Sequence, residues 1–256
     1  MSGFMTLLKK ESMEIIRSKK LLLLCVIFGF VAISSPVIAK AIPSIFKNIN
    51  TNGIIFNIPE PTWKDAIDQL VKNMSQFGLI VIIFMFAGSI SDEKSRKTLE
   101  MVMTKPVSRT DFVLAKFVAS SFYISIVFLA SAVVFYFYTN SLFESLNFAN
   151  YTYLTLFLLV FLLTIFCVTL FFSTISKSQI MSAGLSFVIS ILFTTVVGYI
   201  KSISDYSPSY VISNYKDLMA GGNLHLFLPS FFASLIIIVL LLLLSVISFS
   251  RQEVER

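Results

Sequence analysis

The sequence predicts an all-α, polytopic integral membrane protein with six transmembrane helices, and three observations carry that reading. The first is composition. Of 256 residues, 56% are hydrophobic and 13% charged, whereas soluble globular domains carry about 25% charged residues. The second is the arrangement of the apolar residues, 27 Phe among them. They fall in blocks of about 20, the length at which a helix rising about 1.5 Å per residue crosses a ~30 Å hydrocarbon layer. The third is the placing of charge. A net charge of +6 suggests nucleic acid when taken alone, but the basic residues sit at the ends of the apolar blocks, where they anchor helices to the membrane surface.

Taken in order, residues 2–20 read as an N-terminal interfacial amphipathic helix. Phe4, Leu7, Leu8, Ile15 and Ile16 recur at roughly helical spacing, with Lys9, Lys10, Glu14 and Arg17 on the other side. The first span is Leu21 to Ala39. Pro36 lacks a backbone donor, so it is expected to kink this span or mark its outer end. The run is too long for a cleavable signal peptide, and no small-residue cleavage site follows it. A polar connection, Ala41 to Lys72, contains Pro43, Pro59, Pro61 and an Asn52-Gly53 turn. Within its second half, Trp63, Ala66, Ile67 and Leu70 share the face of a short helix over Thr62–Met74.

The second span, Met74 to Ile90, reads as the shortest, and the charged stretch Ile90–Lys116 follows it. The remaining spans are Phe112–Tyr138, Tyr151–Phe172, Ile180–Ile200 and Leu226–Phe249. Between the last two lies a polar connection with a short helix over Ser209–Met219, and Arg251–Arg256 forms a charged tail. The whole chain, 1–256, thus reads as one transmembrane domain. Counting Lys and Arg by side gives 14 with the termini and the 90–116 loop, against 6 on the opposite side. The positive-inside rule then places both termini in the cytoplasm, with the chain multi-pass in the cell membrane.

Several chemistries are poorly supported. Cys25 and Cys167 lie inside apolar runs, so no disulfide framework is implied. No G-x-x-x-x-G-K-[ST] loop is present, so the chain carries no phosphate-binding loop of its own and no cofactor is expected. His225 is the one histidine, which argues against His-based metal sites and acyl-transfer triads; catalytic and metal residues are expected to be none. The spans contain no Asp, Glu or Arg, and Lys116 lies close enough to the cytoplasmic interface to snorkel. The fifth span does carry an ordered polar stripe. Ser182, Ser186, Ser190, Thr194 and Gly198 recur at i+4 and line one narrow face, fit for internal packing, a subunit contact or a pathway wall.

The stretch Ile90–Lys116 holds the most specific signal. Leu99, Val102 and Met103, spaced i, i+3, i+4, form one apolar patch on a short amphipathic helix over Glu93–Met103. Glu93, Lys94, Arg96, Lys97 and Glu100 keep that helix out of the bilayer. Pro106 ends it, and Ser108-Arg109-Thr110-Asp111 fits a capping box that starts the next helix. An apolar patch with a charged rim suits a groove on a soluble partner.

These residues resemble the cytoplasmic signature of the permease subunits of type-2 ABC exporters. Asp92-Glu93, Thr98-Leu99-Glu100, Lys105-Pro106-Val107-Ser108-Arg109 and Leu114-Ala115-Lys116 correspond to its acidic-basic start, G-T-L-E-like core, P-V-S-R turn and following Gly-Lys. Lys97 stands where Gly is frequent in such permeases, and Ala115 where another is. The resemblance extends to the interfacial helix, the six spans, the enlarged region before the sixth and the basic tail. It implies a non-enzymatic permease that forms the translocation path of an ATP-driven exporter and pairs with a second permease subunit. ATP would be bound by a separate cytosolic ATP-binding subunit. The helix between the second and third spans would then be a coupling helix, with Leu99, Val102 and Met103 in the groove of the ATPase and Glu93, Arg96, Lys97 and Glu100 setting register. The first and fifth spans of such permeases often face the partner permease, which favours the Ser182–Gly198 stripe as a subunit interface. The alternative is a non-transporting scaffold or assembly factor that binds a cytosolic partner through the same loop.

Overall fold

The computed structural model describes residues 3–48, 60–99, 108–143, 146–196 and 204–252. Every regular element among them is helical. In chain order these are α1 (Gly3–Arg17), α2 (Lys20–Asn48), α3 (Trp63–Asn73), α4 (Leu79–Phe86) and α5 (Gly88–Ser95). There follow α6 (Arg109–Leu142), α7 (Phe148–Ile175), α8 (Gln179–Ile191), α9 (Tyr210–Met219) and α10 (Leu228–Arg251). Among the described residues, five helical segments are long and apolar enough to cross a membrane: Lys20–Pro43, Trp63–Ser95, Arg109–Leu142, Phe148–Ile175 and Leu224–Arg251. A shorter apolar helix, Gln179–Thr194, occupies the position of the expected fifth span, whose last residues, 197–200, lie outside the described residues. This is the architecture of a polytopic membrane protein.

Helix α7 forms the centre. It touches α4, α5, α6, α8, α9 and α10, and 72% of its most apolar stretch is buried, against 17% in α10. Small residues allow the closest approaches. A Cβ on Gly78 would stand 3.3 Å from Leu162 Cδ2, so the turn just before α4 lies directly on α7 there.

Three elements depart from the sequence expectation. The first span does not end near Ala39, because α2 continues through Pro36 and Pro43 to Asn48. Ser35 Oγ donates to the Val31 carbonyl at 2.7 Å and accepts from Asn73 Nδ2 at 2.9 Å. Hydroxyl groups of this kind let membrane helices tolerate proline. The second span is not the shortest. α3, a π-helical turn at Met74–Gly78, α4 and α5 join into a rod of 33 residues.

The third departure concerns the helix expected over Glu93–Met103. α5 ends at Ser95, Lys97 takes a left-handed conformation (φ 56°), and helical geometry resumes at Thr98 and Leu99. Left-handed backbone disfavours side chains with a Cβ, which breaks the helix in two. Residues 100–107 lie outside the described residues.

Local chemistry fixes the helix starts that the sequence marks. Asp111 N donates to Ser108 Oγ at 2.9 Å, so Ser108 caps α6 as expected. At α3, the Asp65 carboxylate accepts from Thr62 N at 2.7 Å and from Thr62 Oγ1 at 3.0 Å. Ala66, Ile67 and Leu70 of that helix are buried, while Trp63 is half-buried against the core. The short helix expected over Ser209–Met219 is α9.

Candidate functional site

Charge converges where α1, α5 and α6 meet. Leu7, Glu11 and Ile15 recur every four residues along α1 and form its buried stripe. The stripe lies against α6, so an acid sits in the middle of an apolar contact. An ionised carboxylate placed there needs a partner. Lys116 of α6 supplies one, its Nζ lying 3.0 Å from Glu11 Oε2 and 2.8 Å from Glu93 Oε1. Lys10 completes the cluster, 2.7 Å from Glu93 Oε1, 3.0 Å from Glu11 Oε1 and 3.5 Å from Glu14 Oε2.

The Lys116 side chain is only 3% exposed and that of Glu93 only 13%. Lys116 therefore does not snorkel, because α1 covers it. Removing one partner from a buried pair costs about 3–5 kcal/mol, since an uncompensated charge remains. Burial of Lys10 opposes its charged form, but Glu11 and Glu93 outweigh that and hold the ammonium above the ordinary lysine range. The carboxylates of Glu11, Glu14 and Glu93 converge closely enough to bind a metal ion. The ammonium groups of Lys10 and Lys116 already stand between them, so the donor set is neutralised from within the chain and fits an ionic link better than a metal centre.

A second junction lies beside the first. Arg109 donates to the Ser250 carbonyl at 2.8 Å and the Gln252 carbonyl at 2.7 Å, closing the end of α10. Gln252 Nε2 donates to the Thr174 carbonyl at 2.9 Å, and Lys94 Nζ donates to the same oxygen, so both close the end of α7. Phe112 stacks on Phe249 at 5.2 Å, and Lys94 lies over the Phe249 ring at 6.0 Å. Cations and amide donors at helix C-termini complement carbonyls that have no partner within the helix. One end of the bundle is thus tied together around the segment 93–99.

The residues singled out from the sequence fall into three groups. Arg96 and Lys97 are exposed, as a docking rim requires. Glu93 is turned inward into the ion cluster, and Leu99 is buried at 6% exposure in the chain's own core. Glu100, Val102 and Met103 lie outside the described residues, as does Gly198. Ser182, Ser186 and Ser190 are each 0% exposed. They lie on α8, which packs on α4, α5 and α7, so this chain itself covers the part of the stripe expected at a subunit contact. Thr194 is half-buried and donates to the Ser190 carbonyl at 3.0 Å. Sequence reasoning missed Glu11 and Lys10 as a site. The available signal was Glu11 lying four residues after Leu7 and four before Ile15, an acid on an apolar stripe.

An all-helical bundle of membrane-length rods defines a polytopic membrane protein. The chain belongs to the family of ABC-2 family transporter proteins, whose model matches residues 5–254. That family comprises transmembrane subunits of ABC transporters, which are not themselves catalytic. The chain is also similar to the uncharacterized transmembrane protein YxlG of Bacillus subtilis (strain 168), with 24% identity over 153 residues. The match spans 59% of this chain and 59% of that relative.

Proposed function

We propose that the chain is the permease subunit of an ATP-driven ABC exporter. In this reading it lies in the cell membrane with both termini cytoplasmic and forms the translocation path with a second permease subunit. It docks a separate cytosolic ATP-binding subunit through the loop 90–116, and that subunit binds and hydrolyses the ATP. The observation that carries the reading is the family match over residues 5–254, which includes the whole loop. The geometry adds support. Arg96 and Lys97 are exposed at the loop's start, and the segment just before them is ion-paired to two other elements.

The inward placing of two residues refines their roles. Leu99, being buried, orders the segment from within, and Glu93 holds it against α1 and α6. Contact with the ATPase then falls to Arg96, Lys97, Glu100, Val102 and Met103. The test is co-purification with a Walker-type ATPase encoded beside this chain, using Arg96→Glu/Lys97→Glu and, separately, Val102→Asp. Each variant is expected to weaken the complex about tenfold or more while the permease still folds. Undiminished complex formation and coupled ATP hydrolysis in both variants would show that docking occurs elsewhere.

A further inference from the structure

The end of the bundle away from segment 93–99 carries an open cleft of about 400 Å³ beside α9. Helix α7 fixes its place. Thr174, near one end of α7, accepts from Lys94, whereas Asn150, near the other, donates to the Met219 carbonyl at 3.3 Å. The intervening turns of α7 separate those two contacts by roughly 36 Å.

The end of α9 shapes the cleft. Gly221 takes a left-handed φ of 84°, which glycine adopts without steric cost. Gly222 N then donates back to the Asp217 carbonyl at 2.8 Å. A Cβ on Gly222 would stand 2.6 Å from that oxygen, so only glycine lets the chain turn so tightly. Asn223 follows, its Oδ1 accepting from His225 N at 3.2 Å and starting the approach to α10.

The floor of the cleft is aromatic and its rim is acidic. Tyr210 and Phe227 line it with their rings edge to face, 5.3 Å apart, and Phe227 is only 1% exposed. Asp217 lines it too, is exposed, and makes no ion pair among the described residues. The neighbouring Lys216 does not neutralise it, because that ammonium pairs with Asp68 at 3.1 Å. Burial raises the Tyr210 phenol above its ordinary range, and the carboxylates of Asp205 and Asp217 raise it further. Two uncompensated negative charges therefore reach the same ring.

Those walls select a ligand class. An anion would be repelled by both carboxylates, and an uncharged apolar solute would gain nothing from them. A hard metal ion wants six or more oxygens, whereas the lining brings one carboxylate. An organic ammonium is served by both walls, since its charge meets the carboxylate while its carbon groups lie on the rings.

We propose that this cleft binds an organic ammonium ion, held by the Asp217 carboxylate over the Tyr210 ring with Phe227 beneath. The site lies at the far end of the bundle from the proposed docking loop and stands apart from the export reading.

The test uses the full chain in dodecyl maltoside micelles, which carry no charge. It is titrated calorimetrically with choline and with dimethylbutanol, the uncharged carbon isostere of choline. Choline is expected to bind saturably and about tenfold more tightly than the alcohol. Asp217→Asn keeps the backbone carbonyl that Gly222 needs and should weaken choline binding about fivefold. Tyr210→Leu should weaken it about threefold, while Tyr210→Phe, which keeps the ring face, should bind like the parent. Absence of saturable choline binding, equal affinity for the two probes, or unchanged affinity in Asp217→Asn would overturn the proposal. No ATPase enters this measurement, so its failure is distinct from a failure of the docking test.

Discussion

The two ends of the bundle are held by the same kinds of bond in different surroundings. At the end where α1 meets α5 and α6, Lys116 and Glu93 pair at 2.8 Å with side chains 3% and 13% exposed. At the other junction, where α9 is held to α3, Tyr215 Oη donates to Asp68 Oδ1 at 2.7 Å. There Lys216 pairs with Asp68 at 3.1 Å, with the lysine side chain 69% exposed. The distances are nearly alike, yet the energies are not. Water screens the exposed pair and leaves it worth roughly 0–1 kcal/mol, whereas a buried pair cannot lose a member without stranding a charge. The α1–α5–α6 junction therefore tolerates the loss of a partner far less than the α3–α9 junction does.

Substituting the keystone tests the contrast most severely. Lys116→Met should destabilise the protein by about 3–5 kcal/mol, read as a large fall in thermal stability in detergent. Lys116→Arg keeps a cation between Glu11 and Glu93 and should lose far less than Lys116→Met. If Lys116→Met melts like the parent, the cluster is not what holds α1 to α6.

Removing the phenol at the weaker junction comes next. Tyr215→Phe deletes a hydrogen bond to a charged acceptor and should cost about 1.5 kcal/mol. Burial raises the Tyr215 pKa above its ordinary value of 10.0, and the bond to Asp68 raises it further. A raised folded-state value means that the contribution is complete below pH about 10 and fades as pH rises through the folded value. The difference between Tyr215→Phe and parent should therefore be flat across neutral pH and shrink only in strong alkali. A difference that changed between pH 6 and 8 would assign the effect to another group.

Lys97→Gly has the opposite sign. Its left-handed φ of 56° costs a residue with a Cβ roughly 1–2 kcal/mol, and glycine gives back part of the gain through the freedom of the unfolded chain. Because Lys97 is exposed, little packing is lost, and a gain of about 0.5–1 kcal/mol is expected. The same variant removes a rim cation from the proposed docking face. Stability and ATPase binding should thus move in opposite directions, which separates the residue's two roles.

What the sequence made legible follows the range of the interactions. Ser108 and Asp111 are neighbours along the chain, so their cap could be read directly. The apolar face of α3 was legible for the same reason, since one period of a helix reveals it. Glu11 was not, because Lys116 lies 105 residues away and only packing of α1 on α6 brings them together. A lysine early in a span looks like a snorkelling residue until a second helix covers it. The break at Lys97 was hidden by the residue itself, since glycine would have announced a left-handed position and lysine does not. Ser35, beside Pro36 in α2, likewise has a distant partner in Asn73, 38 residues away.

The smallest expected effect closes the comparison from its weak side. Lys216→Ala removes an ammonium from Asp68, but Tyr215 Oη still donates to that carboxylate and water reaches it. The Coulomb gain at such exposure is offset by the side-chain entropy of holding a long lysine in place. A loss of no more than about 0.5 kcal/mol is expected, and it should vanish in high salt, where exposed charges are screened within a few ångströms. The Lys116→Met loss should persist in the same salt, because its charges are out of reach of ions. Equal salt sensitivity in the two variants would mean that burial does not distinguish the junctions.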